Sequence, residues 1–263
     1  MHFTKMHGLG NDYLYVYGQV PENIEELSKK MSDRHFGAGS DGMIYISPSN
    51  TADFKMRIFN ADGSEAKMCG NGIRCVGKYV YDKGYTDKTT LKIETLSGIK
   101  TLDLSVSSGK VNSVTVDMGK AATQDKMTLD VDGRLVTLIP VSVGNPHAVI
   151  FVDDISKAEL TTLGPIIEHH KAFPDGVNVE FVQVISKTEL RMRVWERGSG
   201  VTFACGTGAC ASAAAAISMK YCDFGSDISV VLDGGILHIT VANDNSVTMR
   251  GPATTVYEGE IEE

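Results

Sequence analysis

No C-x2-C pair occurs in this chain, although it has five cysteines. The tightest spacings are C-x5-C at Cys69 and Cys75 and C-x4-C at Cys205 and Cys210. Structural zinc sites use closer pairs, so no metal is expected. The N-terminal MHFTKMHGLGNDY lacks the basic stretch and apolar core of a signal peptide. An odd number of cysteines without an export signal points to reduced thiols in the cytoplasm. Long apolar runs are missing too. The longest, near Ala211–Ile217, is short and Ala-rich, which excludes a bilayer span and any membrane partner. Basic charge is not in excess: the net charge is −8. Nucleic acid needs a basic face, so it is not an expected partner. A small zwitterionic substrate, held by a few residues, stays open. No lysine stands in a motif suited to a Schiff base, so pyridoxal phosphate is not expected.

What the chain does have is one motif twice. Cys69-Gly70-Asn71-Gly72 and Cys205-Gly206-Thr207-Gly208 lie 136 residues apart (205 − 69), and Phe59 and Trp195 share that separation without a gap. Gly10-Asn11-Asp12 before a strand pattern is matched by Gly144-Asn145-Pro146-His147 before another. The 263 residues therefore suggest two similar α+β halves of about 130 each. We place them at 1–119 and 120–250, joined near Gly119–Asp130, with the tail 251–263 returning to the first half. Alternation predicts strands at Tyr13–Tyr17, Met43–Ile46, Phe54–Phe59, Leu91–Thr95, Lys100–Val106 and Val111–Met118. In the second half it predicts strands at Val149–Val152, Val179–Ile185, Leu190–Trp195, Ile228–Leu232, Ile236–Val241 and Ser246–Arg250. Helices are predicted at Pro21–Met31, Asn71–Asp82, Ile155–His169 with a break at Gly164-Pro165, and Thr207–Met219. Each half thus reads as a curled, mostly antiparallel sheet or barrel around one central helix.

The repeated motif carries chemistry. Its glycines let a ligand approach the backbone. The first N–H groups of a helix lack internal partners and attract an anion. The same helix end is expected to lower the pKa of an adjacent thiol. Two such thiols with carboxylate cradles suit proton removal beside a carboxylate, one thiol working on each face of the carbon. Asn11, Asn60, Asn71, Asn145 and Asn178 sit at turns or strand ends, where turn chemistry is their ordinary role. Glu196 and Arg197 form a charged pair close to the second motif and could read a zwitterionic head. His147 is either a turn histidine or a charge that tunes a thiol. Cys75, Cys210 and Cys222 read as inert.

Taken together, KMHGLGNDY at Lys5–Tyr13, FNADGSE at Phe59–Glu65, MCGNGIRC at Met68–Cys75, GNPH at Gly144–His147, GVNVEF at Gly176–Phe181, WERGSG at Trp195–Gly200 and ACGTGACA at Ala204–Ala211 resemble the diaminopimelate epimerases over the whole chain. The resemblance implies two pseudo-symmetric domains, an active site in the interdomain cleft and a homodimer. It implies cofactor-free conversion of LL- to meso-diaminopimelate for lysine and peptidoglycan precursors. Cys69 and Cys205 would be the acid–base pair. Gly70-Asn71 and Gly206-Thr207 would bind the reacting carboxylate. Asn11, Asn60, Asn145, Asn178, Glu196 and Arg197 would hold the rest of the substrate, with Arg197 on the distal carboxylate. His147 and Glu196 would tune the thiols. Some members have Gln where this chain has Gly42. A side-chain contact there is absent, or is made by backbone or water. Alternatives are a proline- or hydroxyproline-type racemase and a thiol redox or metal-binding protein.

Overall fold

The structure, a computed structural model, describes residues 1–261. Residues 262 and 263 of the expected tail lie outside the described residues. The chain divides into two units: Met1–Asp117 together with the chain from Gly251 onward, and Met118–Arg250.

The first unit runs β1 (His2–Gly8), β2 (Asn11–Tyr17), α1 (Ile24–Ser32), β3 (Gly42–Pro48), β4 (Phe54–Asn60), β5 (Glu65–Ala66), α2 (Gly70–Asp82), β6 (Thr90–Thr95), β7 (Gly98–Ser107) and β8 (Lys110–Lys120). β2 pairs parallel with β3, and β4 with β6. The other neighbours, β1–β2, β3–β4, β4–β5, β6–β7 and β7–β8, are antiparallel.

The second unit runs β9 (Ala122–Thr123), β10 (Met127–Val131), β11 (Arg134–Ser142), β12 (Pro146–Phe151), α3 (Leu160–Glu168), β13 (Asn178–Ser186), β14 (Glu189–Glu196), β15 (Gly200–Thr202), α4 (Gly206–Ser218), β16 (Ile228–Leu232), β17 (Gly235–Val241) and β18 (Ser246–Pro252). Its pairing repeats that of the first unit strand for strand. β12 is parallel to β13 and β14 to β16, while β11–β12, β13–β14, β14–β15, β16–β17 and β17–β18 are antiparallel. The α+β, pseudo-symmetric reading therefore holds at the level of topology. The first unit is completed by β19 (Thr254–Glu260), which pairs antiparallel with β1. The second unit gives β11 a partner adjacent in sequence, β10.

Each unit is built around one helix. α2 packs on β1, β2 and β7, and Gly77 brings its backbone close to Leu102 and Leu104: a Cβ there would stand 2.9 Å from each side chain. α4 is buried at every residue from Gly208 to Ile217 and touches β9, β11–β14, β16 and β17. A helix that is apolar all round belongs in a core. Its alanines allow strands to close in from several sides.

Two helices differ from expectation. α1 starts at Ile24 rather than Pro21, with Leu27 N bonded to the Asn23 carbonyl. The predicted helix over 155–169 is interrupted earlier than Gly164-Pro165. A 3-10 turn, Ile155–Lys157, is capped by Asp154, and α3 begins only at Leu160. Pro165 lies inside α3, where it removes one donor and does not end the helix. Gly164 serves packing: a Cβ there would meet Trp195 Cγ at 2.6 Å, so the indole lies against the helix backbone.

Candidate active site

In both units the cysteine is the N-cap of the central helix. Cys69 and Cys205 have extended backbones, and each sulfur accepts a hydrogen bond from a first-turn N–H: Gly72 N to Cys69 Sγ at 3.2 Å, Gly208 N to Cys205 Sγ at 3.4 Å. Gly70, Asn71, Gly206 and Thr207 fill the first turns beside them.

Around Cys69, the thiol donates to Asn11 Oδ1 at 3.3 Å, and Asn11 Nδ2 donates to Asp41 Oδ2 at 2.8 Å. Asn71 Oδ1 accepts from Arg74 Nη2 at 3.0 Å. Arg74 is fully buried and also donates to the Gly70 carbonyl at 3.0 Å and to the Pro252 carbonyl at 3.1 Å. Asn60, at the end of β4, donates to Ser64 Oγ at 3.0 Å and is not hydrogen-bonded to Asn11 or Cys69 among the described residues. Gly42 pairs with Asn60 across β3–β4. A Cβ on Gly42 would lie 2.1 Å from the Phe59 carbonyl oxygen. No side chain can start there, which leaves backbone or water as the source of any contact at that position.

Around Cys205, Thr207 Oγ1 lies 3.6 Å from the sulfur and accepts from Asn145 Nδ2 at 3.3 Å. Asn145 Oδ1 faces His147 Nε2 at 3.0 Å, and His147 Nδ1 lies 2.7 Å from Glu180 Oε1. The His147 and Glu180 side chains are fully buried. Glu196 takes the Thr202 hydroxyl. Burial holds its carboxyl above the usual range against that bond, and the charge of Glu180 adds to the rise. Asn178 bridges the Pro146 carbonyl at 2.9 Å and the Arg197 backbone N–H at 3.0 Å. Arg197 Nη1 donates to the Asp175 carbonyl at 2.8 Å.

One expectation is corrected. The helix end does not leave Cys205 with a lowered pKa. Burial pushes this thiol well up, and the Glu196 and Glu180 charges push the same way, overriding the bonds from Thr207 and Gly208.

A sequence model of a family described as diaminopimelate epimerase matches the chain in two segments, residues 3–124 and 139–256. A diaminopimelate epimerase from Acetivibrio thermocellus is 50% identical, covering 100% of this chain and 99% of its own. One from Methanococcus maripaludis strain C5 is 51% identical over 100% of both chains. The chain belongs to the diaminopimelate epimerase family. It is an isomerase. Among solved structures, a Bacillus anthracis phenazine biosynthesis protein superposes with a TM-score of 0.80 at 17% identity, covering 100% of this chain and 99% of its own. A hydroxyproline epimerase from Agrobacterium vitis gives 0.72 at 16%, covering 99% and 90%. At such identities only the fold is shared.

Within the epimerase fold, most residues expected in the site fall into two hydrogen-bonded groups, while Asn60 bonds to Ser64 and Asn71 to Arg74. One is Cys69 with Asn11. The other joins Cys205, Thr207, Asn145 and His147, with Glu196 close by and Asn178 and Arg197 linked to each other. Two members were missed from sequence, Glu180 and Asp41. Glu180 had a signal, as a charge inside the apolar strand Val179-Glu180-Phe181-Val182. Asp41, in Gly39-Ser40-Asp41-Gly42, looks like ordinary turn chemistry. Among the described residues no cluster of three or more His, Cys, Asp or Glu could hold a metal ion, and no helix is long and apolar enough to cross a membrane.

Proposed function

We propose that this epimerase converts LL-diaminopimelate to the meso form, with Cys69 and Cys205 as the two acid–base groups. The reading is carried by one repeated feature: a thiol at the N-cap of each central helix, its sulfur bonded to a first-turn N–H. One sulfur, as thiolate, removes the α-proton and leaves its electron pair on carbon. The other, as thiol, delivers a proton to the opposite face. The substrate is isomerised, the thiols exchange protonation states, and solvent resets them. Electron density passing into the α-carboxylate is stabilised by the first-turn N–H groups at Gly70-Asn71 and Gly206-Thr207. Asn11, Asn60, Asn145, Asn178 and Glu196 hold the substrate's polar groups, and Arg197 takes the distal carboxylate. His147 and Glu196 bias the protonation of Cys205. The reading extends to a homodimer in the cytoplasm, free of pyridoxal phosphate, serving lysine and peptidoglycan precursor synthesis.

The test is incubation of the pure protein with LL-diaminopimelate in heavy water, followed by separation of the stereoisomers. Early meso product should carry solvent deuterium, while recovered LL substrate keeps its hydrogen. Cys69→Ala and Cys205→Ala should each abolish epimerisation. Product without deuterium, or normal turnover by either variant, would exclude the two-thiol assignment.

A further inference from the structure

Asp41 lies in the turn before β3 and has no role in the reading above. Its Oδ2 accepts from Asn11 Nδ2 at 2.8 Å and from the Asp12 backbone N–H at 3.1 Å, and its Oδ1 pairs with Arg34 at 2.8 Å. A carboxylate surrounded by three donors can only accept. Asn11 must therefore turn its NH2 toward Asp41, which leaves its carbonyl oxygen facing Cys69. That oxygen also only accepts, so the 3.3 Å contact needs hydrogen on the sulfur. We propose that Asp41 is a positioning residue for Cys69: by fixing the Asn11 amide it makes Cys69 the donor of this bond and favours its thiol form. The proposal deepens the assignment of Cys69 as an acid–base group and rests on it. It also separates the two repeats, because Cys205 has the Thr207 hydroxyl beside it in place of an amide oxygen.

The anchor is itself held firmly. Arg34 bridges Asp41 and Asp12, and Lys5 reaches Asp12 at 2.9 Å. Burial works to raise the Asp12 carboxyl, but Arg34 and Lys5 outweigh it and hold the group below its usual value. Other groups near Cys69 stay constant across a labelling series. Burial pushes the Tyr15 hydroxyl well up and the Cys75 thiol up to about 11, and Arg74 keeps its charge. His7, whose Nδ1 accepts from Gly10 N, is present in every variant and cancels in the comparison.

The experiment is alkylation of Cys69 by iodoacetamide across pH, read by peptide mass. Asp41→Ala frees the Asn11 amide to turn over and offer its NH2 to the sulfur. The midpoint should fall by about one pH unit, the size of one hydrogen bond to a charged group, with the plateau rate unchanged. Asn11→Ala should also lower the midpoint, since it removes the same oxygen, and this arm does not depend on Asp41→Ala folding. Removing a negative charge would itself lower the midpoint, so the double variant decides. In an Asn11→Ala background, Asp41→Ala should produce only the small shift of its lost charge, clearly less than in the wild-type background. An equal shift there, or an unchanged midpoint in either single variant, overturns the proposal. Labelling needs no turnover, so its outcome is separate from whether diaminopimelate is epimerised.

Discussion

At the residue scale, the two cysteines share a backbone setting but not a side-chain setting. Cys205 stands near a buried carboxylate pair partner, Glu180, whose Oε2 has no hydrogen-bond partner among the described residues. That strain is tolerable only while His147 stays on Oε1. Glu180→Ala should then destabilise the protein by about 3–5 kcal/mol, because one half of a buried pair is stranded; urea unfolding measures it. Gly42→Ala should be at least as harmful as ordinary overpacking, about 3 kcal/mol, since its Cβ meets backbone at 2.1 Å and not a movable side-chain tip. A thermal melt reads the loss. Asp12 gives a pH dependence. Its carboxyl is held below the usual value, so its contribution is complete above the unfolded pKa, about 4, and disappears as pH falls through the lower folded pKa. Asp12→Asn should flatten the acid limb of a stability–pH curve; a limb of unchanged steepness would show that other carboxylates dominate it.

At the element scale, the repeat reaches further than the cysteine motifs reveal. α2 and α4 both have 13 residues and both end in the same reversal. Tyr85 N bonds to Val80 O and Gly84 N to Tyr81 O; Tyr221 N bonds to Ala216 O and Lys220 N to Ile217 O. The left-handed position is Gly84 in one helix, at φ 77°, and Lys220 in the other, at φ 63°. Lysine is strained there and exposed, so Lys220→Gly should stabilise the protein by about 1 kcal/mol, seen as a higher melting temperature. Little of this was legible in sequence, because lysine carries no turn signal. Alternation did reveal most strands, since their apolar faces are buried. It missed β1, β10, β11 and β19, whose patterns are diluted by polar residues such as His2, Thr4 and Glu258, and the two- and three-residue strands β5, β9 and β15, which are too short to alternate. Gly164-Pro165 was read as a helix break because propensity cannot see Trp195 lying against that glycine. The cysteine caps, by contrast, were readable: thiol, glycines and helix start are adjacent in the chain. The Asn11–Asp41 contact was not, because it joins residues 30 positions apart.

At the scale of the whole molecule, the same eight-strand pairing is built twice but closed by different means. The second unit finds β10 next to β11, joined in a hairpin by the two residues Asp132 and Gly133. The first unit takes β19 from the far end, pairing His2 with Glu260, and Arg74 ties the start of α2 to the Pro252 carbonyl. Removing the residues after Pro252 should leave β1 with one unpaired edge and expose Met6 and Phe3. The truncated protein is expected to lose the first unit's protection in hydrogen exchange while the second keeps its own. The same arrangement fixes an order of events on the ribosome. The second unit has all its strands once residue 252 has emerged, whereas the first, although made earlier, must wait with an open strand edge until Thr254–Glu260 is synthesised. Of the two halves, the one made first is the one that finishes folding last.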